Sequence, residues 1–178
     1  MTVDKEERIA LVRAASKGAL TGTIVYRSLA LPCALGRGGC RTDKREGDGA
    51  TPIGSWPVRQ LLYRPDKGAP PVVSMPKLAL AVDGGWCDAP ADRNYNRPVH
   101  HPYPASAERL WRTDDLYDLI VVLGYNDAPV VAGRGSAIFI HVAQPDLAPT
   151  EGCIALTKAD LVRLLEVEPQ LEAVRITG

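Results

Sequence analysis

The residues of this sequence best suited to covalent chemistry are a histidine and a cysteine twelve positions apart, His141 and Cys153. An apolar segment delivers His141, a loop with proline and aspartate follows, and Gly152-Cys153 arrives just before a helix-start signal. The nucleophile in cysteine catalysis is the thiolate, and a neighbouring imidazolium lowers the thiol pKa from its usual value near ~8.5. We therefore predict that Cys153 attacks a substrate carbonyl while His141 takes the thiol proton. Gly152 leaves room for that carbonyl, and the backbone N–H groups of residues 152 and 153 can face the developing oxyanion.

Structural roles are the competing interpretation, because a lone buried cysteine is usually an inert small hydrophobe. Other catalytic motifs do not fit. Gly135-Ser136 lacks the second glycine of a G-x-S-x-G elbow, and the glycines at positions 36, 38 and 39 do not match G-x-G-x-x-G. His100 and His101 are adjacent, so they cannot share one strand face and do not predict a joint metal site. We expect neither a metal nor a cofactor.

Composition and charge exclude several classes of partner. The chain has 178 residues, which fits one catalytic domain over residues 1–178. Its 21 basic and 21 acidic side chains balance, so no electrostatic footprint for nucleic acid or for an anionic membrane is present. The longest apolar runs are too short to span a bilayer. The mixed-sign run RTDKREGD from position 41 to 48 predicts a solvated loop.

Cysteine spacing bears on the compartment. The four cysteines, at positions 33, 40, 87 and 153, show no C-x-x-C spacing, so a zinc ribbon is not indicated. A Cys33–Cys40 bridge is possible, but nothing in the sequence demands it, and free thiols fit a reducing compartment. The first residues do not resemble a secretory signal. We expect a cytoplasmic protein, or a periplasmic one if a leader has been removed, and the oligomeric state stays open.

The elements that position these residues are short apolar and β-branched segments, which predict a mainly β fold with one or two small helices. Pro32 interrupts one strand and suggests that it lies at a sheet edge. One helix is predicted from a capping-box-like start at Thr157 to a stop at Pro169, and a second over Ala105–Asp115. The predicted strands are Ile9–Val12, Thr23–Tyr26, Leu29–Leu35, Trp56–Tyr63, Leu78–Val82, Asp118–Leu123, Ala137–Val142 and Leu171–Ile176.

Four stretches, in order along the chain, resemble the YkuD-type L,D-transpeptidase family. The GRGSAIF run into the His141 strand, followed by Thr150-Glu-Gly-Cys153, resembles the active-site signature of one branch. The resemblance is clearest over residues 31–165. The other matching stretches are Asp43–Gly54, Trp86-Cys-Asp88 with Tyr95-Asn-Arg-Pro98, and Tyr117–Asn126.

The resemblance implies a β-sandwich-like catalytic domain with Cys153 as nucleophile and His141 as base. It implies a thioester acyl-enzyme with the stem peptide of peptidoglycan, formed by breaking the bond between the L-centre of diaminopimelate and a terminal D-alanine. An amine acceptor then gives a cross-link, and water gives trimming. The residues it suggests for substrate binding, each with a structural alternative, are Trp86, Tyr95, Asn96, Arg97, Arg134, Ser136 and Glu151.

This chain departs from the better-known family pattern beside the cysteine. Glu151 stands where many members have histidine, and Ala155 where many have arginine or asparagine. Both positions help to shape the acceptor side in those members, so the two substitutions disfavour cross-linking. Cross-linking takes place outside the cytoplasmic membrane, and because we expect a cytoplasmic protein, we expect an L,D-carboxypeptidase that trims recycled muropeptides. The alternatives are an L,D-transpeptidase that forms peptidoglycan cross-links and a catalytically silent domain that binds muropeptides.

Overall fold

The computed structural model of the chain describes residues 8–167 and 170–178. Over these residues the protein is mainly β with one α-helix, as predicted, and a 3-10 turn lies at Pro65–Lys67. The helix, α1, spans Lys158–Val167. The strands are β1 Ile9–Ala14, β2 Thr21–Tyr26, β3 Leu29–Ala34, β4 Cys40–Arg41, β5 Thr51–Pro52, β6 Gly54–Tyr63, β7 Lys77–Ala79, β8 Gly84–Cys87, β9 Pro98–His100, β10 Ala107–Arg109, β11 Leu119–Leu123, β12 Phe139–Val142, β13 Ile154–Leu156 and β14 Ala173–Thr177.

Eight strands form a closed ring of backbone pairings. The order is β11-β12-β13-β3-β2-β1-β14-β6, and β6 closes the ring by pairing with β11 along its second half. The short strand β7 adds to β6, and a separate three-stranded sheet has the order β10-β8-β9. Closure leaves few free strand edges.

Both faces of the central strands are buried, because a strand's side chains alternate between its two faces. In β11, Leu119 and Val121 belong to the core to which all eight ring strands contribute, whereas Ile120 and Val122 belong to a second core with Trp86 of β8. The three-stranded sheet therefore packs against the outside of the ring. This sheet-on-sheet packing is the sandwich-like feature that the family resemblance implied.

Helix α1 begins as predicted. The Thr157 hydroxyl accepts the Asp160 N–H at 3.2 Å, which is the first bond of a capping box. The Asp160 carboxylate accepts the Thr157 hydroxyl at 2.9 Å, in place of the backbone N–H that glutamate or glutamine accepts in a capping box. The inward side chains include Leu161 and Leu164, both fully buried. The stop predicted at Pro169 lies outside the described residues.

Three predictions about these elements are wrong. The predicted helix over Ala105–Asp115 is absent, because its residues Ala107–Arg109 pair with β8 as strand β10. The predicted buried strand over Leu78–Val82 is instead the exposed strand β7, in which the Leu78 side chain is 52% exposed.

The strand with Pro32 is not an edge strand, since β3 pairs with β2 and also with β13. The proline is tolerated because the pairing with β13 is at Ala34, two residues further on.

Candidate active site

Strand register brings the predicted nucleophile and base to one face of the sheet. Strands β12 and β13 run parallel, with His141 opposite Ala155, and Cys153 immediately precedes β13. Since side chains alternate along a strand, Phe139, His141, Cys153 and Ala155 share a face. His141 and Cys153 are only 7% and 8% exposed.

Both side chains line a cavity of about 510 Å³. Of the other predicted site residues, Ser136 and Glu151 line it, whereas Gly152, Trp86, Tyr95, Asn96, Arg97 and Arg134 do not. The remaining polar and aromatic residues of its wall are Glu46, Asp88, Glu108, Arg112, Tyr117, Gln144 and Thr150.

The Cys153 thiol is held by two backbone groups. Its Sγ donates to the Ala137 carbonyl oxygen at 3.2 Å and accepts the Phe139 N–H at 3.4 Å. The Thr150 hydroxyl donates to the Cys153 carbonyl oxygen at 2.6 Å. These bonds fix the position of Sγ and of the Cys153 peptide. The thiol donates to a carbonyl oxygen and not into the cavity.

The His141 ring is oriented by its own strand. Nδ1 lies 2.8 Å from the Val142 carbonyl oxygen, and because a carbonyl only accepts, Nδ1 carries the proton. The other nitrogen, Nε2, is then the one that can take a proton. The Tyr117 ring packs edge-on against the imidazole, with ring centroids 5.2 Å apart.

Burial keeps both groups neutral. It lowers the pKa of His141 to about 4, against the opposing effect of the Val142 carbonyl. Burial, and next the negative charge of Glu108, raise the pKa of the Cys153 thiol to about 12. The resting pair is therefore thiol and imidazole, which differs from the thiolate beside an imidazolium that the sequence suggested.

Gly152 is required by close packing. Its φ is +132°, and a Cβ there would lie 2.7 Å from the Ala50 carbonyl oxygen. Its N–H donates to the Thr150 hydroxyl at 3.2 Å, so in this state it does not face the cavity as the predicted oxyanion donor. The role of Gly152 in the structure is to let the backbone at Ala50 pack closely against it.

A hydrogen-bonded carboxylate forms part of the cavity wall. Glu46 accepts the Tyr95 hydroxyl at 2.5 Å and the Ser136 hydroxyl at 2.7 Å. The Tyr95 hydroxyl in turn accepts the Gly135 N–H at 2.9 Å. Tyr95 is thus placed behind the wall, where it holds the Gly135–Ser136 turn, and Ser136 reaches the cavity.

Asn96 and Trp86 lie deeper and contact one another. The Trp86 indole N–H donates to Asn96 Oδ1 at 3.0 Å, and its ring packs edge-on against Phe139 at a centroid distance of 5.2 Å. Asn96 is 4% exposed and bonded on all sides to protein groups. Neither side chain is placed to touch a molecule in the cavity.

The charged candidates lie at the periphery. The exposed Arg97 guanidinium donates to the Asp127 carbonyl at 3.1 Å. Arg134 is also exposed, and its backbone carbonyl accepts the Tyr125 hydroxyl at 2.5 Å. Glu151 pairs with Arg37 at 2.8 Å while 75% of its side chain is exposed. Of these, only Glu151 is at the rim of the cavity.

Two acidic residues of the cavity wall come from distant segments and were not predicted from the sequence. Glu108 lies in the wrongly predicted helix; its carboxylate accepts the Tyr117 hydroxyl at 2.6 Å, and burial raises its pKa. Glu46 lies in the run expected to be a solvated loop, where Lys44 is in fact buried against Asp48 at 2.9 Å. The available signal was the match of Asp43–Gly54 to the family's early loop.

Other kinds of site are not indicated within the described ranges. Residues 8–167 and 170–178 hold no group of three or more His, Cys, Asp or Glu side chains able to bind a metal. The four cysteines are free thiols, and His100 pairs with Asp83 at 3.1 Å on the surface. No helix among the described residues has the length and apolar character needed to cross a membrane.

Comparison with known proteins gives the family. The chain is similar to the crystal structure of Mycobacterium tuberculosis L,D-transpeptidase 1 at 15% sequence identity and a TM-score of 0.39, covering 96% of this chain and 62% of that one. It therefore spans less than two thirds of that protein's length. No curated protein matches the chain. The YkuD family model, described as an L,D-transpeptidase catalytic domain, matches residues 1–170, and the protein belongs to that family.

Proposed function

We propose that the protein is an L,D-carboxypeptidase that uses Cys153 as nucleophile and His141 as base. Its substrate would be the peptidoglycan tetrapeptide stem, cleaved between the L-centre of diaminopimelate and the terminal D-alanine. The observation that carries the proposal is that the thiol and the imidazole share one face of adjacent strands in the wall of one cavity. Membership of the L,D-transpeptidase family supports the reaction class.

The proposed chemistry begins from the neutral pair. As Sγ bonds to the substrate carbonyl carbon, the thiol proton passes to Nε2 of His141. The tetrahedral intermediate collapses, the C–N bond to D-alanine breaks, and His141 returns the proton to the leaving amine. Water then loses a proton to His141 and attacks the thioester, which releases the tripeptide and restores the Cys153 thiol.

Hydrolysis is proposed over cross-linking because the acceptor side departs from the family pattern. Ala155 gives this wall a small apolar side chain, and the carboxylate of Glu151 is held at the rim by Arg37. Water needs no binding site of its own, whereas an amine acceptor does. We propose the cytoplasm as the setting, with recycled muropeptides as the substrate. Transpeptidation is the second candidate, favoured by the family description.

Incubation with a disaccharide tetrapeptide, followed by mass spectrometry, tests the proposal. D-alanine and tripeptide in equal amounts are expected, with no product from Cys153→Ala. A cross-linked dimer without free tripeptide would instead establish transpeptidation. Binding of the tetrapeptide with no product at all would support a catalytically silent binding domain.

A further inference from the structure

Asn96 is a buried amide whose hydrogen-bonding positions are all occupied by protein. Its Oδ1 accepts the Trp86 indole N–H and the Ala137 N–H, each at 3.0 Å. Its Nδ2 donates to the carbonyl oxygens of Tyr125 and Asn126, each at 2.9 Å. An amide group offers two donors and accepts two bonds, so Asn96 has no capacity left for a ligand.

The peptide that Asn96 holds has an unusual conformation. Ala137 has a φ of +53°, in the left-handed region that residues with a Cβ rarely adopt. Such a conformation persists only where surrounding contacts enforce it. Two contacts enforce it here: the Ala137 N–H donates to Asn96 Oδ1, and the Ala137 carbonyl accepts the thiol of Cys153 at 3.2 Å.

We propose that Asn96 is a positioning residue that acts on the nucleophile through Ala137. By fixing the Ala137 peptide, Asn96 orients the Ala137 carbonyl toward Sγ. The sulfur is thereby held within hydrogen-bonding distance of the Phe139 N–H, its second backbone partner. The proposal rests on the proposed role of Cys153 as nucleophile. It assigns Asn96 to the position of the sulfur and not to contact with substrate.

The chemistry of this contact gives a signature that a merely structural role would not produce. A carbonyl that accepts an S–H bond stabilises the protonated thiol, so releasing it favours the thiolate. Loss of the Asn96 side chain should therefore make Cys153 react faster with a small alkylating agent. It should also slow peptide cleavage, because the sulfur is no longer held in place.

Asn96→Gly is the informative variant, since Asn96 itself has a φ of +57° and glycine adopts that conformation without strain. Asn94→Ala is the matched control, because the Asn94 amide bonds the Tyr103 hydroxyl at 2.8 Å in the same loop and does not reach Ala137. Alkylation by iodoacetamide is followed by peptide mass mapping from pH 7 to 9. Cleavage of the disaccharide tetrapeptide gives kcat and KM.

For Asn96→Gly we expect Cys153 alkylation at pH 8 to rise roughly threefold or more and kcat to fall roughly tenfold or more with KM little changed. Cys87, fully buried beside Trp86, reports general opening of the region and should label no faster. Asn94→Ala should match wild type in both assays. Should Asn96→Gly not fold, Asn96→Ser is the milder variant, with the same direction of change expected.

Two results overturn the proposal: Asn96→Gly behaving like Asn94→Ala, or Cys87 and Cys153 accelerating together. A wild-type protein that cleaves no tetrapeptide refutes the proposed function instead. In that case the alkylation comparison still decides whether Asn96 positions the sulfur.

Discussion

Burial of a neutral imidazole at position 141 predicts a specific dependence of stability on pH. An unfolded histidine binds a proton near pH 6.5, whereas burial lowers the pKa of folded His141 to about 4. Between these values the unfolded state binds more protons, so stability rises with pH. The contribution is complete above pH 6.5 and is lost as the pH falls to about 4, and each pKa unit corresponds to 1.36 kcal/mol. The loss attributable to His141 is therefore about 3 kcal/mol.

The matched variant is His141→Asn, whose amide nitrogen can still donate to the Val142 carbonyl but does not titrate. The free energy of unfolding is measured by urea denaturation at intervals from pH 7.5 to 4. The quantity of interest is the difference between the two proteins, because groups common to both cancel. Glu108 is one such group: burial raises its pKa, so its own contribution falls as the pH rises.

The expected difference curve is flat above pH 6.5 and then moves by about 3 kcal/mol in favour of the variant on acidification. Parallel curves for the two proteins over the whole range would refute the reasoning. They would mean that His141 is solvated or charged in the folded state. That result would also refute the neutral His141 base of the proposed mechanism.

Three further substitutions test the packing around the site. Gly152→Ala places a Cβ 2.7 Å from the Ala50 carbonyl oxygen, so it should destabilise the fold by about 1–3 kcal/mol and lower the urea midpoint. An unchanged midpoint would contradict the close packing of Gly152 against Ala50. Glu151→Gln removes an exposed pair with Arg37 and should change stability by less than about 1 kcal/mol, so a larger loss would contradict its peripheral placement. Leu161→Ala empties a fully buried position on α1 and should cost about 2–5 kcal/mol in thermal and urea unfolding, whereas a cost near zero would place the helix outside the core.

The parts of the fold that the sequence predicted well are those where burial on both faces dictates residue type. Leu119–Leu123 and Phe139–Val142 are apolar at nearly every position, and both are fully buried strands. Ala105–Asp115 was mispredicted because its helical pattern is weak and its conformation is decided by pairing with strand β8, which lies earlier along the chain. Local periodicity carries no information about such a partner.

The residues of the candidate site also divide into those that the sequence predicted and those that it did not. Cys153 and His141 lie in one continuous stretch, and the parallel register of two neighbouring strands brings them to one face. Glu46 and Glu108 reach the same cavity from separate loops and strands. No spacing rule predicts which distant segments converge. Asn96 shows a further limit, since its residue type suits either a ligand contact or a buried hydrogen-bonded position.

The neutral state of the pair bears on how the thiol is activated. An ion pair at rest would need two charges in a buried wall, where desolvation opposes both. Burial instead raises the pKa of Cys153 and lowers that of His141, and the Cys153 thiol donates its proton in a hydrogen bond to the Ala137 carbonyl. Proton transfer to His141 is then favourable only when Sγ is forming a bond to carbon, which removes the cost of a free thiolate. Thiol activation would thus be coupled to the binding of a correctly placed substrate carbonyl. Contacts that fix the position of the sulfur would then matter more to the rate than contacts that stabilise the thiolate.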